Sequence, residues 1–435
     1  MNSDAPLGSL VERDARCIWH PFTQHASDGA PIPVVGAKDA WLELEDGRRV
    51  LDGISSWWTS LHGHGRPEFA KALAEQAERL DHVLFAGTTH EPAVRLAERV
   101  TALAPAPLNR CFYSDNGSTA VEVALKMAYQ AQAQRGEGHR NLFLALEGSY
   151  HGDTFGAMAV GDPVPYFTAF TDLLFEVRRV APRAEALDAI FEREGARLAA
   201  MIVEPRVQGA AGMRFHDDRF LVRARELTKQ HGAYLIADEV MTGFGRTGRP
   251  FACQHSGIEP DLMSLAKGLT GGVMPLSATL ATDEIFEAFL SSDRSQAFFH
   301  GHSFTGHPLG CAVALASLDL FEKEQTPDRL ERAGRRMAAS LDERLGERSL
   351  HHNLRQLGGI VAFDLGPEGS DATRYGKLAP ALRARAIERG ALLRPLGEVV
   401  YLLPPACTTD PELDQLCNVA VELAELADQL ARPSA

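Results

Sequence analysis

The feature that most constrains the fold is a regular alternation of short apolar runs and amphipathic stretches between residues 65 and 325. This alternation is typical of a mainly parallel β-sheet covered by helices. From Gly117 onward, apolar residues recur with the three- and four-residue spacing of a helix. The runs that resemble buried strands are 141–146, 199–203, 233–237, 262–266 and 276–280. We therefore expect an α/β fold whose large domain covers residues 65–325.

The chain changes character after residue 325, where longer charged helices alternate with isolated strands. The predicted elements are a helix over 328–345, a strand near 359–365, a helix ending near Gly390, a pair of strands around Arg394 and Tyr401, and a final helix after Asp410. Residues 41–53 predict a hairpin with Asp46-Gly47 as its turn. We expect residues 1–64 and 326–435 to form one discontinuous α+β small domain.

Length, charge and cysteine usage limit the classes of protein to consider. A chain of 435 residues is too long for one hydrophobic core. Its formal charge of −14 gives it no electrostatic reason to bind nucleic acid or an anionic membrane. The six cysteines form no C-x-x-C pair, which indicates reduced thiols. No secretory signal or bilayer-spanning run is apparent, so we expect a soluble, cytoplasmic protein.

Two charged residues, Asp238 and Lys267, each follow the apolar part of a predicted strand. Because ligands of open α/β sheets bind beyond the carboxyl ends of strands, both side chains are expected in one crevice. A lone lysine is more often a solvated strand end, but Lys267 lies in SLAKGLTGG, among apolar residues and glycines. A desolvated amine attacks an aldehyde, and a buried carboxylate keeps a pyridine nitrogen protonated. The pair predicts a site for pyridoxal phosphate.

The segment SDNGSTAVE predicts a phosphate cradle for the same cofactor. Gly117, Ser118 and Thr119 open the predicted helix, so free N–H groups, two hydroxyls and the positive end of the helix dipole converge there. The competing interpretation is that Ser118 and Thr119 are ordinary N-caps. Ser303 and Thr305 are candidates for further phosphate contacts.

The segment YHGDT supplies candidates for the rest of the cofactor. Tyr150 follows a predicted strand by a short loop and is expected to lay its ring on a flat heteroaromatic group. Asp153 is a candidate for ordering hydrogen bonds near the pyridine edge. Taken singly, either residue is more often structural.

Two further patterns carry less weight. GFGRTG at 243–248 satisfies the G-x-G-x-x-G pattern of dinucleotide-binding proteins, but the residues after it have no helical period. We therefore reject a nicotinamide cofactor. The histidines at 62, 64, 300, 302 and 307 match no known ligand spacing, so we expect no metal site.

The segments IADEVMTGFGRTG and PDLMSLAKGLTGG resemble the cofactor-attachment signature of the class III aminotransferases. Similarity to that family runs through nearly the whole chain. The resemblance implies fold type I, bound pyridoxal phosphate and a homodimer with shared active sites. It implies that Lys267 attaches the cofactor, Asp238 pairs with the pyridine nitrogen and Tyr150 stacks on the ring. The phosphate would be bound by Gly117, Ser118 and Ser303 of the partner subunit.

Three segments resemble one branch of this family: IWHPFTQ (18–24), GISSWWTSLHGHG (53–65) and RPLGEVVYLLPP (394–405). That branch forms 7,8-diaminononanoate from 8-amino-7-oxononanoate for biotin synthesis, with S-adenosylmethionine as amino donor. The implied substrate-binding residues are Phe22, Trp57, Trp58, Tyr150, Gly301, Arg394 and Tyr401. Arginine suits a carboxylate through its bidentate fork, and tryptophan suits an aliphatic chain or a sulfonium.

Phe22 departs from the pattern, because relatives that use S-adenosylmethionine commonly carry tyrosine at this position. Relatives that use lysine as donor also carry phenylalanine there, but they tend to lack the Trp57-Trp58 pair. This pair could instead be packed in the core, although a strand would bury only one of two adjacent side chains. The motifs of the family also fit an ω-amine or ornithine transaminase and, more distantly, a lyase or aminomutase on the same scaffold.

Overall fold

The computed structural model describes residues 8–164, 166–346, 350–369 and 376–431. The strands are β1 Val34–Lys38, β2 Trp41–Leu44, β3 Arg49–Asp52, β4 Leu108–Ser114, β5 Leu142–Leu146, β6 Val177–Val180, β7 Leu198–Val203, β8 Val207–Gln208, β9 Arg214–Phe215, β10 Tyr234–Asp238, β11 Leu262–Leu265, β12 Ser277–Thr282, β13 His351–Leu357, β14 Ile360–Leu365, β15 Ala391–Leu392 and β16 Val399–Leu402. The helices are α1 Leu10–Asp14, α2 Ser55–Trp58, α3 Pro67–Arg79, α4 Glu91–Leu103, α5 Gly117–Gln134, α6 Phe155–Val160, α7 Ala184–Glu194, α8 Asp218–His231, α9 Asp283–Glu287, α10 Pro308–Lys323, α11 Thr326–Leu345, α12 Ala379–Glu388 and α13 Asp410–Ala431. Within these residues, none of the helices has the length and apolar character needed to cross a bilayer.

Seven strands form the central sheet in the order β4-β12-β11-β10-β7-β5-β6. Only β12 runs against the rest of the sheet, because it pairs antiparallel with both of its neighbours while β11, β10, β7, β5 and β6 pair in parallel. Every residue of β5, β7, β10, β11 and β12 is buried, which requires helices on both faces. The predicted α/β fold with a mainly parallel sheet is confirmed.

The five predicted strands of this sheet are confirmed to within two residues, whereas β4 and β6 were not predicted. These two strands lie at the two edges of the sheet. Edge strands are partly exposed and carry polar residues, as LNRCFYS and VRRV do, so they lack the continuous apolar run of a buried strand.

Two smaller sheets bring the ends of the chain together. The predicted hairpin is confirmed, with Trp41 opposite Leu51 across β2 and β3. β15 adds to it in parallel, with Ala391 beside Leu51, so an N-terminal and a C-terminal strand share one sheet. β13, β14 and β16 form the second small sheet. The predicted limits of the two domains remain a prediction.

The predicted pairing of two strands around Arg394 and Tyr401 is wrong. β15 pairs with β3, whereas β16 pairs with β14, so the two strands belong to different sheets. The loop between them crosses from one sheet to the next, and a single bridge between Leu396 and Val399 turns it back. Arg394 lies in this loop, and Tyr401 lies in β16.

Candidate active site

The candidate site lies at the carboxyl edge of the central sheet. β10 ends at Asp238, Lys267 follows β11, Glu204 follows β7, and Gly117 follows β4 after a short turn. Strands that run in the same direction end at the same edge, which brings these residues together. A cavity of about 490 Å³ opens there. The predicted residues that line it are Trp58, Gly117, Ser118, Tyr150, Asp238 and Lys267.

Lys267 presents its amine to this cavity from a backbone with a positive φ of 47°. Its Nζ lies 4.9 Å from the ring centroid of Trp58. Burial lowers the pKa of Lys267 to about 8, although the charges of Asp238 and Glu204 oppose the change. An amine with this pKa has a far larger neutral fraction near physiological pH than an exposed lysine, and the neutral form is available as a nucleophile or a base.

Asp238 belongs to a buried network with His151 and Glu204. Its Oδ2 lies 2.6 Å from His151 Nδ1, and its Oδ1 accepts the N–H of Val240 at 3.1 Å. Burial opposes protonation of His151, but the bond to Asp238 and the charges of both carboxylates outweigh it and raise the pKa of His151. Burial and the charge of Asp238 raise the pKa of Glu204 to about 7, although His151 opposes the change. The carboxylate of Asp238 thereby has a buried imidazole and a backbone N–H as its partners.

The start of α5 forms an open cradle. The N-cap residue Asn116 accepts the N–H of Thr119 at 3.0 Å, and Thr119 Oγ1 donates back to Asp115 at 3.0 Å. Thr119 therefore caps the helix, as the competing interpretation expected, and its role in binding phosphate remains a prediction. Gly117 and Ser118 occupy the first turn, where N–H groups have no acceptor within the helix, and both line the cavity.

Two glycines keep this cradle open. A Cβ atom on Gly117 would lie 2.7 Å from Val240 Cγ1, and one on Gly152 would lie 2.0 Å from Ser118 Oγ. Gly152 also has a φ of 124°. Any side chain at either position would fill the cradle or push it apart. The space and the free donors fit a phosphate group.

Tyr150 is held over the cavity from three sides. Its N–H donates to Glu204 at 3.3 Å, its hydroxyl donates to Asp153 at 3.0 Å, and its ring stacks on Phe167 with centroids 5.8 Å apart. Asp153 is exposed, and its own N–H donates to Ser118 Oγ at 3.0 Å. Asp153 therefore links the cradle to Tyr150. The residue that contacts Asp238 is His151, and the role of Asp153 near the pyridine edge remains a prediction.

The rings of Trp57 and Trp58 contact two basic side chains, those of Arg394 and Lys267. Trp58 is 5% exposed, contacts Lys267 as described, and donates from Nε1 to the hydroxyl of Tyr401 at 3.1 Å. Trp57 is 36% exposed, and the guanidinium carbon of Arg394 lies 4.2 Å from its ring centroid. The ring of Phe22 meets Trp57 edge-on at 5.5 Å. Adjacent tryptophans thus contact a buried amine and a guanidinium.

The turn that carries the tryptophans is left-handed. All four residues of α2, Ser55–Trp58, have φ between 45° and 72°. For residues other than glycine, this conformation costs about 1–2 kcal/mol each. The Trp57-Trp58 pair lies in a left-handed turn rather than a strand, and the two rings contact different groups.

The family model described as aminotransferase class-III matches residues 22–423 of this chain. The chain belongs to the class III aminotransferases. Relatives named adenosylmethionine-8-amino-7-oxononanoate aminotransferase occur in Synechococcus elongatus, at 46% identity over 95% of this chain and 99% of the relative, and in Geobacter sulfurreducens, at 41% identity over 95% and 97%. Each match covers nearly the full length of this chain and of the relative.

Solved structures agree with this membership. The structure of an adenosylmethionine-8-amino-7-oxononanoate aminotransferase from Methanocaldococcus jannaschii matches with a TM-score of 0.90 at 33% identity, over 96% of this chain and 99% of that chain. An ω-transaminase from Pseudomonas jessenii, solved in complex with PMP, matches with a TM-score of 0.90 at 26% identity, over 98% and 100%. The predicted fold type I of the class III aminotransferases is confirmed.

Among the predicted site residues of this class III aminotransferase, Phe22, Trp57, Arg394 and Tyr401 lie outside the lining of the cavity, as do Gly301, Ser303 and Thr305. Gly301, Ser303 and Thr305 lie in the loop before α10, and the first two are exposed. Thr305 Oγ1 accepts the N–H of His302 at 3.0 Å, which orders the loop. Their predicted role, with Ser303 acting in the partner subunit, remains a prediction.

Three buried titratable residues in or beside the class III aminotransferase site were not predicted: His151, Glu204 and Arg246. Glu204 follows a predicted strand, so the rule that identified Asp238 applied to it as well. Arg246 comes from the GFGRTG segment, is 1% exposed, and donates to the carbonyl groups of Pro404 at 3.1 Å and Trp58 at 3.4 Å. Burial lowers the pKa of Arg246 to about 9.

Proposed function

We propose that this chain transfers an amino group to the ketone of 8-amino-7-oxononanoate, forming 7,8-diaminononanoate for biotin synthesis, with S-adenosylmethionine as donor. The observation that carries the proposal is the pair of adjacent tryptophans, with Lys267 4.9 Å from one ring and Arg394 4.2 Å from its neighbour. This arrangement suits a substrate with a reacting carbon at one end, a carboxylate at the far end and an aliphatic chain between. The names of the relatives support the same substrates.

The residues of the cavity fit pyridoxal phosphate. Gly117 and Ser118 would bind its phosphate at the start of α5, and Asp238 would pair with its pyridine nitrogen. Tyr150 would cover the face of its ring, and Lys267 would attach it covalently. Ser303 of the partner subunit would complete the phosphate site, so the proposal includes a homodimer.

When bound, pyridoxal phosphate supplies an electron sink that stabilises the charge left by removal of a proton from the donor. The amine of Lys267 is the base that takes this proton from the α-carbon of the donor and delivers it again. The charge of Asp238 would favour the protonated pyridine nitrogen, and the contact of its Oδ2 with His151 Nδ1 at 2.6 Å holds the carboxylate in place. Trp58 excludes water from the side of Lys267 that it covers.

The rate at which the apo-protein takes up pyridoxal phosphate should rise with pH, reach half of its maximum near pH 8 and level off at higher pH. Only the neutral amine reacts with the aldehyde, and burial lowers the pKa of Lys267 from 10.5 to about 8. Stopped-flow absorbance over a series of pH values measures this rate. Nα-acetyl-lysine, whose ε-amine has a pKa of about 10.4, is the control. Its rate of reaction with pyridoxal phosphate should still rise at pH values where the rate for the protein has levelled off. A rate for the protein that follows this control would contradict the prediction.

The donor and the acceptor are tested one half-reaction at a time. Adding S-adenosylmethionine alone to the cofactor-loaded protein should remove its visible absorbance band, and 8-amino-7-oxononanoate should then restore it. Lysine in a parallel cuvette should leave the band unchanged. Loss of the band with lysine only would make lysine the donor, in agreement with Phe22.

Two further outcomes would replace the proposed reaction. A band that responds only to simple diamines or to ornithine would assign the chain to another group of class III transaminases. A product formed from one substrate alone, with no second ketone required, would indicate a lyase or an aminomutase.

A further inference from the structure

Asp52 is a fully buried carboxylate that does not line the cavity but contacts the turn beside it. Its Oδ1 accepts the N–H of Ser56 at 2.8 Å and that of Ile54 at 3.4 Å, and its Oδ2 accepts the hydroxyl of Ser56 at 2.7 Å. Nε2 of His64 lies 2.9 Å from the same Oδ2. Two of these four contacts go to Ser56, in the left-handed turn that carries the tryptophans.

This turn needs outside support because its conformation is unfavourable in itself. Ser56, at the centre of the contacts of Asp52, has a φ of 45°, and Trp57 and Trp58 follow with 70° and 72°. Residues with a Cβ atom prefer right-handed or extended backbone. Strained backbone of this kind persists only where its surroundings over-determine it, and it concentrates at functional sites.

The rest of the turn is fixed at its ends. The hydroxyl of Ser55 donates to the carbonyl of Leu403 at 2.8 Å, and the carbonyl of Trp58 accepts from Arg246. In the middle of the turn, the backbone N–H and the hydroxyl of Ser56 both donate to the carboxylate of Asp52. Loss of the carboxylate would therefore release Ser56 in the middle of the turn, and Trp57 is the next residue in the chain.

We infer that Asp52 is a positioning residue that sets substrate specificity by holding Trp57 and Trp58 in the substrate pocket. It acts through Ser56 and does not touch the substrate. Asp238 ends β10 and Lys267 follows β11, whereas Asp52 ends β3. Loss of the Asp52 carboxylate should therefore affect substrate binding more than proton transfer. The inference rests on the proposed function for the substrates that it concerns.

Asp52→Ala in the cofactor-loaded enzyme should raise KM for 8-amino-7-oxononanoate about 10- to 100-fold, with a smaller change in kcat. Asp52→Asn should have a smaller effect, because the amide oxygen still accepts from Ser56. Asp46→Asn is the matched control, since Asp46 lies at the exposed hairpin turn of the same sheet. This control should keep the KM and kcat of the wild type.

A second substitution separates positioning from general stability. Glycine adopts positive φ without steric cost, so Ser56→Gly added to Asp52→Ala should recover part of the lost affinity. Equal losses in KM and kcat, with reduced cofactor content and no recovery by Ser56→Gly, would show a merely structural role and overturn the inference. Should Asp52→Ala fail to fold, Asp52→Asn and Asp52→Asn with Ser56→Gly carry the same comparison.

Tryptophan emission distinguishes failure of this inference from failure of the proposed function. If the wild type does not convert the proposed substrates, the proposed function fails. Quenching of tryptophan emission by bound pyridoxal phosphate still reports the position of Trp58 beside Lys267. The inference predicts weaker quenching in Asp52→Ala than in the wild type. Equal quenching in both proteins would overturn it.

Discussion

Replacing Lys267 with alanine is expected to lower transamination by at least about a thousand-fold while the protein stays folded. The substitution removes both the group that attaches the cofactor and the base that moves the proton of the donor. The fold should persist because alanine and lysine both carry a Cβ atom, so the positive φ at this position costs them about the same. Steady-state rates and a thermal unfolding curve measure the two parts of the prediction.

The control for this variant is Lys71→Ala, because Lys71 is an exposed lysine on α3 that is paired with Glu75. It should leave the rate unchanged. Adding a small primary amine should restore part of the activity of Lys267→Ala, since a free base enters the space left by the side chain. Full activity of Lys267→Ala without added amine would refute the assignment of the base.

Replacing Asp238 with asparagine is expected to lower the rate about ten- to thousand-fold. An opposite charge within a few ångströms raises the pKa of a cation by about 1–3 units. Without Asp238, the protonated fraction of the pyridine nitrogen should therefore fall by up to about ten- to thousand-fold. The same charge raises the pKa of Lys267. Its removal should therefore move the midpoint of cofactor uptake to a pH below 8. Absorbance during uptake at several pH values reads this second effect independently of turnover.

Asp188→Asn is the matched control, because Asp188 is a surface carboxylate paired with Arg223. Its uptake midpoint and its rate should both equal those of the wild type. An Asp238→Asn enzyme with wild-type rate and midpoint would exclude the proposed electrostatic role. A lower rate with an unchanged midpoint would place the effect of Asp238 elsewhere than on Lys267.

The core of the fold was predictable because buried parallel strands are continuous apolar runs, as in LMSLA before Lys267. The same reasoning fails at the edges of the sheet, where β4 and β6 mix polar and apolar residues. It also fails for β15 and β16, because pairing depends on partners that are distant in sequence. Ala391 pairs beside Leu51, and no local pattern announces this contact.

The site was predictable where chemistry requires a particular residue type at a strand end, as with Asp238 and Lys267. It was less predictable where a role depends on neighbours in space. His151 becomes important only through its contact with Asp238, and Thr119 is distinguished as a helix cap only by its contacts with Asn116 and Asp115. The left-handed conformation of Ser55–Trp58 also has no signature in SSWW, since none of these residues is a glycine.

The sharing of one sheet by β3 and β15 has a consequence for how the chain matures during synthesis. β3 and the turn that carries the tryptophans are synthesised before the central sheet, whereas β15, the parallel neighbour of β3, is synthesised after it. The carbonyl that accepts from Ser55 belongs to Leu403, which is made later still. The central sheet can assemble as its strands emerge, whereas the pocket wall must wait for β15 and Leu403. Nascent chains halted before β15 should therefore form the site around Lys267 but lack substrate selectivity.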